Sequence, residues 1–503
     1  MMHRLLTYFL LLPVLSPALA QENTVFHQVE LTAEHPIIAE PYFPKLFSKD
    51  RKALTLLGKD EKQHFFFSIY KQLDGDAQVL AVPEDALFFD FLSDGENGKE
   101  HLVFLTRDGV TFVDPENGET DLTLKTQSIY RLPSNPNFSH LDFARDLNGD
   151  GWEDIIVQDF DGYHLFIHTE AGFQDPVFLP FPVEMRIGGA PYYDASAPRY
   201  ESFPIYNLDM TLDERDDIVF LKDKTLYVFE QLPDGTFSTQ AQTIDIPLDI
   251  VGNSMAEFLR SEESSSNRAN FTERRISKIQ DIDGDKIPDI LTLEEEAKGT
   301  FDRKTTYGIH FGRQTPEGLS FVKEVDALSS IKGFSLFQSL SDVEGDGRFE
   351  NFTATNDIGL GKIISALLTG STKFDLSIYK INDQRKFEEK PNSVKKIRLD
   401  FDFSSGNISI PVVKLADLDG DGRKELILDD EKKGIRIFSQ DPKRNEVFGR
   451  RAKDYKVQIP QDGQFVQVED IDENGRDDLI IHFDPFGADG EESAKRLIFL
   501  LSL

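Results

Sequence analysis

The sequence predicts an all-β fold: a β-propeller of eight four-stranded blades, with seven as the alternative count, closed by an N-terminal strand. Three observations point there. An acidic loop of nine residues recurs along the chain, each copy runs into a short apolar strand, and surplus strands at the two ends complement one another. The clearest loop is Asp417-Leu-Asp-Gly-Asp-Gly-Arg-Lys-Glu425, with oxygen-bearing side chains at positions 1, 3, 5 and 9 and glycine at 4 and 6. Ca²⁺ is a hard cation that takes six to eight oxygens, and a loop folded back on itself brings Asp417, Asp419, Asp421, Glu425 and the backbone carbonyl of Arg423 toward one ion. Glycine permits the sharp turn.

Taken in order, the chain opens with the pattern of a secretory signal peptide over residues 1–20. Arg4 supplies the positive start, residues 5–15 the apolar run, and Ala18-Leu-Ala20 the small-residue cleavage site. An exported protein, periplasmic or secreted, is therefore expected, with residues 21–503 forming a single propeller domain. No later stretch reaches the roughly 18 apolar residues of a membrane span. The chain has no cysteine, which excludes disulfides and a lipid-anchored cysteine. A formal net charge of −34 speaks against nucleic acid and anionic lipid, both of which need basic surface. It suits a chain that gathers cations.

Aligning on the position-9 residue gives one register for the whole chain. Asp146, Asn148, Asp150 and Asp154 precede Ile-Ile-Val, and Asp281, Asp283, Asp285 and Asp289 precede Ile-Leu-Thr. Asp342, Glu344, Asp346 and Glu350 follow, then the Asp417 loop, then Asp470, Asp472, Asn474 and Asp478 before Leu-Ile-Ile. At position 7 of these loops, where calcium would take a backbone carbonyl, stand Trp152, Ile287, Arg348, Arg423 and Arg476. About five Ca²⁺ sites are expected. Three units depart from the pattern. One has Asp209, Asp213 and Asp217 but Thr211 at position 3; one, around Asp94 and Asn97, has His101 at position 9; the first, near residues 49–57, keeps only its strand.

Position 9 thus falls at 53, 101, 154, 217, 289, 350, 425 and 478, a step of about 61 residues, within the range of propeller or solenoid repeats. Each unit holds about four short strands without a convincing helix, as a propeller blade does; the rival arrangement is an open array of small β-modules. The chain ends favour the ring. After the last loop only two strands remain, and residues 24–31 form a spare strand before the first unit. Pairing them would remove the exposed edges of an open sheet.

The loops resemble those of FG-GAP/VCBS repeats, the family that includes the integrin α-subunit propeller. The resemblance covers nearly all of residues 21–503 and implies Ca²⁺ in the loop joining the first and second strands of each blade that carries the pattern.

Function is expected on the opposite face, because binding loops are built where connections exceed the minimum. Residues 184–202 carry Tyr192, Tyr193, Arg199 and Tyr200; residues 251–275 carry Arg260, Arg268, Arg274 and Arg275; residues 357–373 include a possible helical turn at 363–368. Aromatic faces that stack on sugars and arginine forks that take carboxylates would suit an acidic polysaccharide or peptide. The plainer alternative is that the tyrosines pin a long loop to the rim. No thiol, Gly-x-Ser-x-Gly elbow or His-Glu-x-x-His motif is present, and His164 and His168, four apart on one strand, read as packing or surface residues. The expectation is a protein- or glycan-binding scaffold module, with a polysaccharide lyase as the alternative. Trp152, the one tryptophan, is expected to pack between blades.

Overall fold

The computed structural model describes residues 26–503, apart from 74, 96–97, 132–137, 184, 188–197, 201–202, 251–269, 299–301, 333, 357–368, 403–406, 431–433, 441–445, 485–489 and 491. The signal-peptide stretch, the turn at 363–368, and Tyr192, Tyr193, Arg260 and Arg268 lie outside the described residues.

Eight antiparallel sheets follow one another along the chain as propeller blades. Their second strands are Leu54–Lys59, Glu100–Thr106, Asp154–Gln158, Asp217–Lys222, Asp289–Lys298, Glu350–Asn356, Glu425–Asp429 and Asp478–Ile481. In blades 3 to 8 the first residue of that strand is the position-9 acid, so the sequence register and the strand register coincide. The ring closes as expected: Phe26–Thr32 pairs antiparallel with the last strand, Arg496–Ser502, from Phe26↔Ser502 to Thr32↔Arg496. Blade 8 is thereby built from both ends of the chain.

Strand number is less uniform than four throughout. Blade 1 has three named strands, and its inner edge is irregular, held by the isolated bridge Tyr42↔Thr55. That segment carries Pro36, Pro41 and Pro44, which have no N–H to give a ladder. The sheets of blades 2 and 6 have five strands. In blade 2 the fifth is Ser139–His140, which lies parallel to Ala86–Ser93 and belongs in sequence to the entry of blade 3.

Packing explains why the second strands read as continuous apolar runs. Ile155 and Val157 join a buried cluster with Leu92, Val103 and Leu105 of blade 2, whereas Ile156 joins Phe181, Ile218 and Phe220 toward blade 4. Alternate side chains thus enter the two neighbouring junctions, and the strand is buried on both faces, as sheets covered on both sides are. The same division recurs around the ring, one hydrophobic cluster at each of the eight blade junctions. The cluster joining Ile480 and Phe499 of blade 8 to Leu54 and Leu56 of blade 1 completes the circle.

One expected insertion is corrected. Arg274 and Arg275 do not lie in a connecting loop; they belong to the inner strand of blade 5, Asn270–Gln280, which pairs with Asp289–Lys298 as far as Asn270↔Lys298. Arg274 faces Glu294 across the ladder and donates to it through Nε at 2.9 Å. The strands of blades 5 and 6 are long because alternating sequence continues the ladder beyond the usual turn, and they extend the face opposite the acidic loops. Among the described residues no helix is long and apolar enough to cross a membrane.

Candidate metal loops and ligand face

The acidic loops of blades 3 to 8 share one hydrogen-bonded frame. The position-1 aspartate accepts from backbone amides at positions 4 to 6: Gly149 and Gly151 donate to Asp146 at 2.8 and 2.9 Å, Gly345 and Gly347 to Asp342 at 2.8 and 2.9 Å, and Gly420 and Gly422 to Asp417, both at 2.8 Å. Such wrapping needs left-handed backbone at positions 4 and 6, which glycine supplies without steric cost. Where glycine is missing the conformation persists: Lys286 has φ 66°, Glu473 57°, Leu212 60° and Glu214 69°. Each non-glycine there costs of order 1 kcal/mol or more. The frame is therefore held by more than glycine.

Part of what holds it is the position-9 acid. Asp154, Asp217, Asp289 and Asp478 are fully buried, Glu350 and Glu425 nearly so. One carboxylate oxygen accepts from the amide of position 2, as in Asp289 with Ile282 (2.9 Å), Glu425 with Leu418 (3.0 Å) and Asp478 with Ile471 (2.9 Å). In four blades the other oxygen accepts from a residue at the end of the third strand or two positions past it: His168 to Asp154 (2.8 Å), Gln231 to Asp217 (3.0 Å), Gly312 to Asp289 (2.9 Å) and Ser502 to Asp478 (2.7 Å). Asp217 does this in a loop that carries Thr211 at position 3. Position 9 is thus a staple between loop and sheet, a role that reading it only as a ligand had missed; its invariable place before a strand was the available signal.

The position-5 side chains accept from position 7: Trp152, Ile287, Arg348, Arg423 and Arg476 donate their N–H at 2.9, 2.9, 3.0, 2.9 and 2.9 Å. In three loops the acids converge. Donor atoms of Asp281, Asp283 and Asp285, of Asp417, Asp419 and Glu425, and of Asp470, Asp472 and Asp478 lie within 4.8 Å of one another in each group. In the other two, position 3 is drawn away. Glu344 pairs with Lys380 at 2.5 and 2.6 Å, and Asn148 donates to Asp150 at 3.2 Å and to Gly235 O at 3.3 Å.

The donor sets fit a hard divalent cation. Burial first, and the neighbouring loop acids after it, push Asp289 up to about 7, Glu425 to about 7 and Asp478 to about 6. Asp154 and Glu350 rise to about 8 for the same reasons. Arg385 pairs with Asp283 and Asp285, and Lys380 with Glu344, so these two loops are partly neutralised by the protein; carboxylates that still repel one another would be relieved further by a divalent ion. Among the described residues Asp283 Oδ1 is buried with no hydrogen-bond partner, while its other oxygen pairs with Arg385. The Asp209 loop carries a cation from within itself, because Arg215 pairs with Asp213 and donates to Gln231 O at 3.1 Å.

Neighbouring loops also touch. Asp477 N donates to Asp417 O at 2.8 Å, Lys424 N to Val343 O at 2.9 Å and Phe349 N to Ile282 O at 3.1 Å. A Cβ on Gly345 would stand 2.4 Å from Gly422 O, and one on Gly284 3.2 Å from Gly347 O. From blade 5 to blade 8 the loops form one acidic arc. Trp152 packs between blades as expected, with Gly95 of blade 2 on its ring and His168 edge-on at 5.0 Å.

On the opposite face, Arg199 and Tyr200 lie on the hairpin strand Pro198–Tyr200, paired as Arg186↔Arg199 and Met185↔Tyr200. A cleft of about 770 Å³ lies at blades 5 and 6, lined in part by Lys332, Lys373, Lys396, Arg398, Thr355 and Ser371. Its side of the ring follows from the chain: Glu350–Asn356 leaves the acidic loop at Glu350, so Thr355 lies at the far edge. Lys396 pairs with Asp375, and Arg398 Nε donates to Asp400 at 2.8 Å. Lys332 and Lys373 are exposed and carry no ion pair among the described residues. A smaller cleft of about 220 Å³ adjoins it, sharing Arg398 and reaching Pro411, Ile459 and Pro460.

No protein family and no curated protein matches the chain. Solved structures do. An Agrocybe aegerita lectin described for specific recognition of non-reducing terminal N-acetylglucosamine is 16% identical, covering 85% of this chain and 94% of its own, with a TM-score of 0.39. The V. cholerae biofilm matrix protein Bap1 is 11% identical over 92% of this chain and 88% of its own, with a TM-score of 0.29. Dihydro-heme d1 dehydrogenase NirN is 10% identical over 84% of this chain and 67% of its own, with a TM-score of 0.37.

Proposed function

We propose that the protein is an exported, calcium-stabilised β-propeller that serves as a binding or scaffold module, taking an anionic protein or glycan ligand on the face opposite its acidic loops. The observation that carries this reading is the cleft at blades 5 and 6. In a chain of net charge −34, it places Lys332 and Lys373 beside the ion-paired Lys396 and Arg398, with Asp375 and a wall of hydroxyls. Cations there offset the repulsion that an acidic partner would meet elsewhere, and hydroxyl and amide groups offer directional hydrogen bonds. The continuation past Arg398 toward Ile459 and Pro460 gives room for an extended chain.

Calcium has a structural part in this reading. Asp281, Asp283 and Asp285, then Asp417, Asp419 and Glu425, then Asp470, Asp472 and Asp478 would hold the ions, which would tie the arc of blades 5 to 8 together. The ligand face would then sit on a rigid ring.

The test is binding by the full chain with calcium present. Polygalacturonate and polyaspartate serve as anionic glycan and peptide probes, and dextran as the neutral control. The expected result is salt-sensitive binding of one anionic probe, weakened at least about tenfold by the double substitution Lys332→Glu/Lys373→Glu. Equal binding by that variant would remove the cleft from the proposal. No binding of either anionic probe would remove the ligand class.

A further inference from the structure

We propose that Arg385 of blade 6 is a tethered competitor for the cation of the acidic loop in blade 5, so that calcium enters this loop only by displacing it. The inference rests on the calcium reading above and concerns which loop fills last. Arg385 lies in the hairpin joining the third and fourth strands of blade 6, between Ser371–Tyr379 and Ser393–Asp402.

The guanidinium crosses to the neighbouring blade and takes two of its loop acids. It pairs with Asp283 through Nε and donates from Nη2 to Asp285 at 3.1 Å. These are positions 3 and 5 of the blade 5 loop, and their donor atoms converge with that of Asp281 to within 4.8 Å. Asp283 is only 8% exposed, and its Oδ1 has no hydrogen-bond partner among the described residues. One positive charge therefore stands beside a donor set of three carboxylates and leaves a buried oxygen unused. The converging acids of blades 7 and 8 carry no ion pair with lysine or arginine among the described residues, which sets the blade 5 loop apart.

The hairpin is shaped to present this side chain. Arg385 has φ 57°, left-handed backbone that is strained for a non-glycine residue. Asn382 holds the turn: its carbonyl accepts from Arg385 N at 2.8 Å, and its side chain accepts from Gln384 N at 2.9 Å and Lys386 N at 3.2 Å. Phe311 of blade 5 meets the guanidinium at 4.0 Å from its ring centre, a cation–π contact. Ile381 and Phe387, on either side of the turn, pack with Ile282 and Phe311 in the cluster between blades 5 and 6. The base of the hairpin is thus anchored by apolar contacts that do not depend on the ion pair. Its charged tip is 42% exposed, and a pair so open to water is readily exchanged. Two cations on Asp283 and Asp285 repel one another, so the guanidinium lowers the affinity of its loop for a divalent ion and gives way when that ion binds. Blade 5 would then fill at higher calcium than blades 7 and 8, and the contact from Arg385 to blade 5 would respond to calcium concentration.

The test is calcium titration of the full chain by isothermal calorimetry and by thermal melting, with and without Arg385→Gln. In the variant one calcium site should tighten at least about fivefold, and adding Asp281→Asn should remove that tightened site. Arg385→Lys keeps the charge and loses the fork, so it should tighten the site less. In chelator Arg385→Gln should melt below the unaltered protein, because Asp283 and Asp285 lose their counter-charge; saturating calcium should close the gap. Circular dichroism checks that each variant is folded. Equal or weaker affinity in folded Arg385→Gln, or a tightened site that survives Asp281→Asn, would overturn the proposal and leave calcium binding standing. Absence of calcium binding in every form would remove the calcium reading itself, and this inference with it.

Discussion

Replacing Gly149 and Gly345 separately by alanine tests whether the acidic loops lock blades to one another or only turn their own chain. The two glycines are matched. Both stand at position 4, with φ 72° and 69°, and both donate at 2.8 Å to the position-1 aspartate. They differ in what lies beyond. A Cβ at Gly149 meets nothing within 4 Å, whereas one at Gly345 would stand 2.4 Å from the backbone carbonyl of Gly422 in the next blade. Left-handed backbone costs alanine about 1 kcal/mol in either place. At Gly345 the overlap is with main chain, which cannot rotate aside, so relief by moving the loop adds about 1–3 kcal/mol. Gly149→Ala should therefore lose about 1 kcal/mol and Gly345→Ala about 2–4 kcal/mol. Urea unfolding followed by circular dichroism, with calcium fixed at saturation, reads both losses from the shift in midpoint and the slope. Equal losses, within about 0.5 kcal/mol, would refute the interblade lock.

Two further predictions concern metal and pH. One site with Kd of about 0.1 mM at about 1 mM Ca²⁺ contributes about 1.4 kcal/mol, so the three loops with converging acids would together contribute about 4 kcal/mol if independent. Chelation should lower the melting temperature and calcium restore it, and Asp419→Asn should remove one site's share; an unchanged melt after thorough chelation would dismiss calcium from the fold's energetics. His482 offers a separate readout. It is buried with both ring nitrogens unpartnered among the described residues, and burial, aided by Lys414, pushes it down to about 4. The unfolded chain then binds the proton more readily than the folded one between pH of about 6.5 and 4. Stability should fall as pH drops through that window, by up to about 3 kcal/mol. His482→Phe should flatten this part of the profile, and a slope unaltered by the substitution would assign the acid sensitivity to other groups.

The loops were legible because their chemistry is local. Position 1 folds the following amides around itself, and position 9 begins the strand, so nine consecutive residues specify both the turn and the blade register. Glu425 could be placed at the head of a strand from sequence, and so could Asp154, Asp217, Asp289, Glu350 and Asp478. The closing strand was legible too, because an unpaired edge at each end of a repeat array has one economical partner. By contrast, Arg274 and Arg275 looked like loop residues. Whether a polar stretch continues a ladder depends on a facing strand, here one carrying Glu294, and not on its own composition.

What the sequence determined by itself is the repeated unit: its period, its acidic turn and its buried strand, all set by contacts within about ten residues of one another. Tertiary structure alone decided what those units do to each other. It turned Glu344 toward Lys380, set Gly345 against Gly422, and brought Arg385 to Asp283 and Asp285. It also assembled Lys332 with Lys373 and Arg398 on a face that no single repeat contains. Such pairs lie on different strands or different blades, and their distances are fixed by strand pairing within a sheet, as for Lys373 and Arg398, or by the packing of one blade on the next.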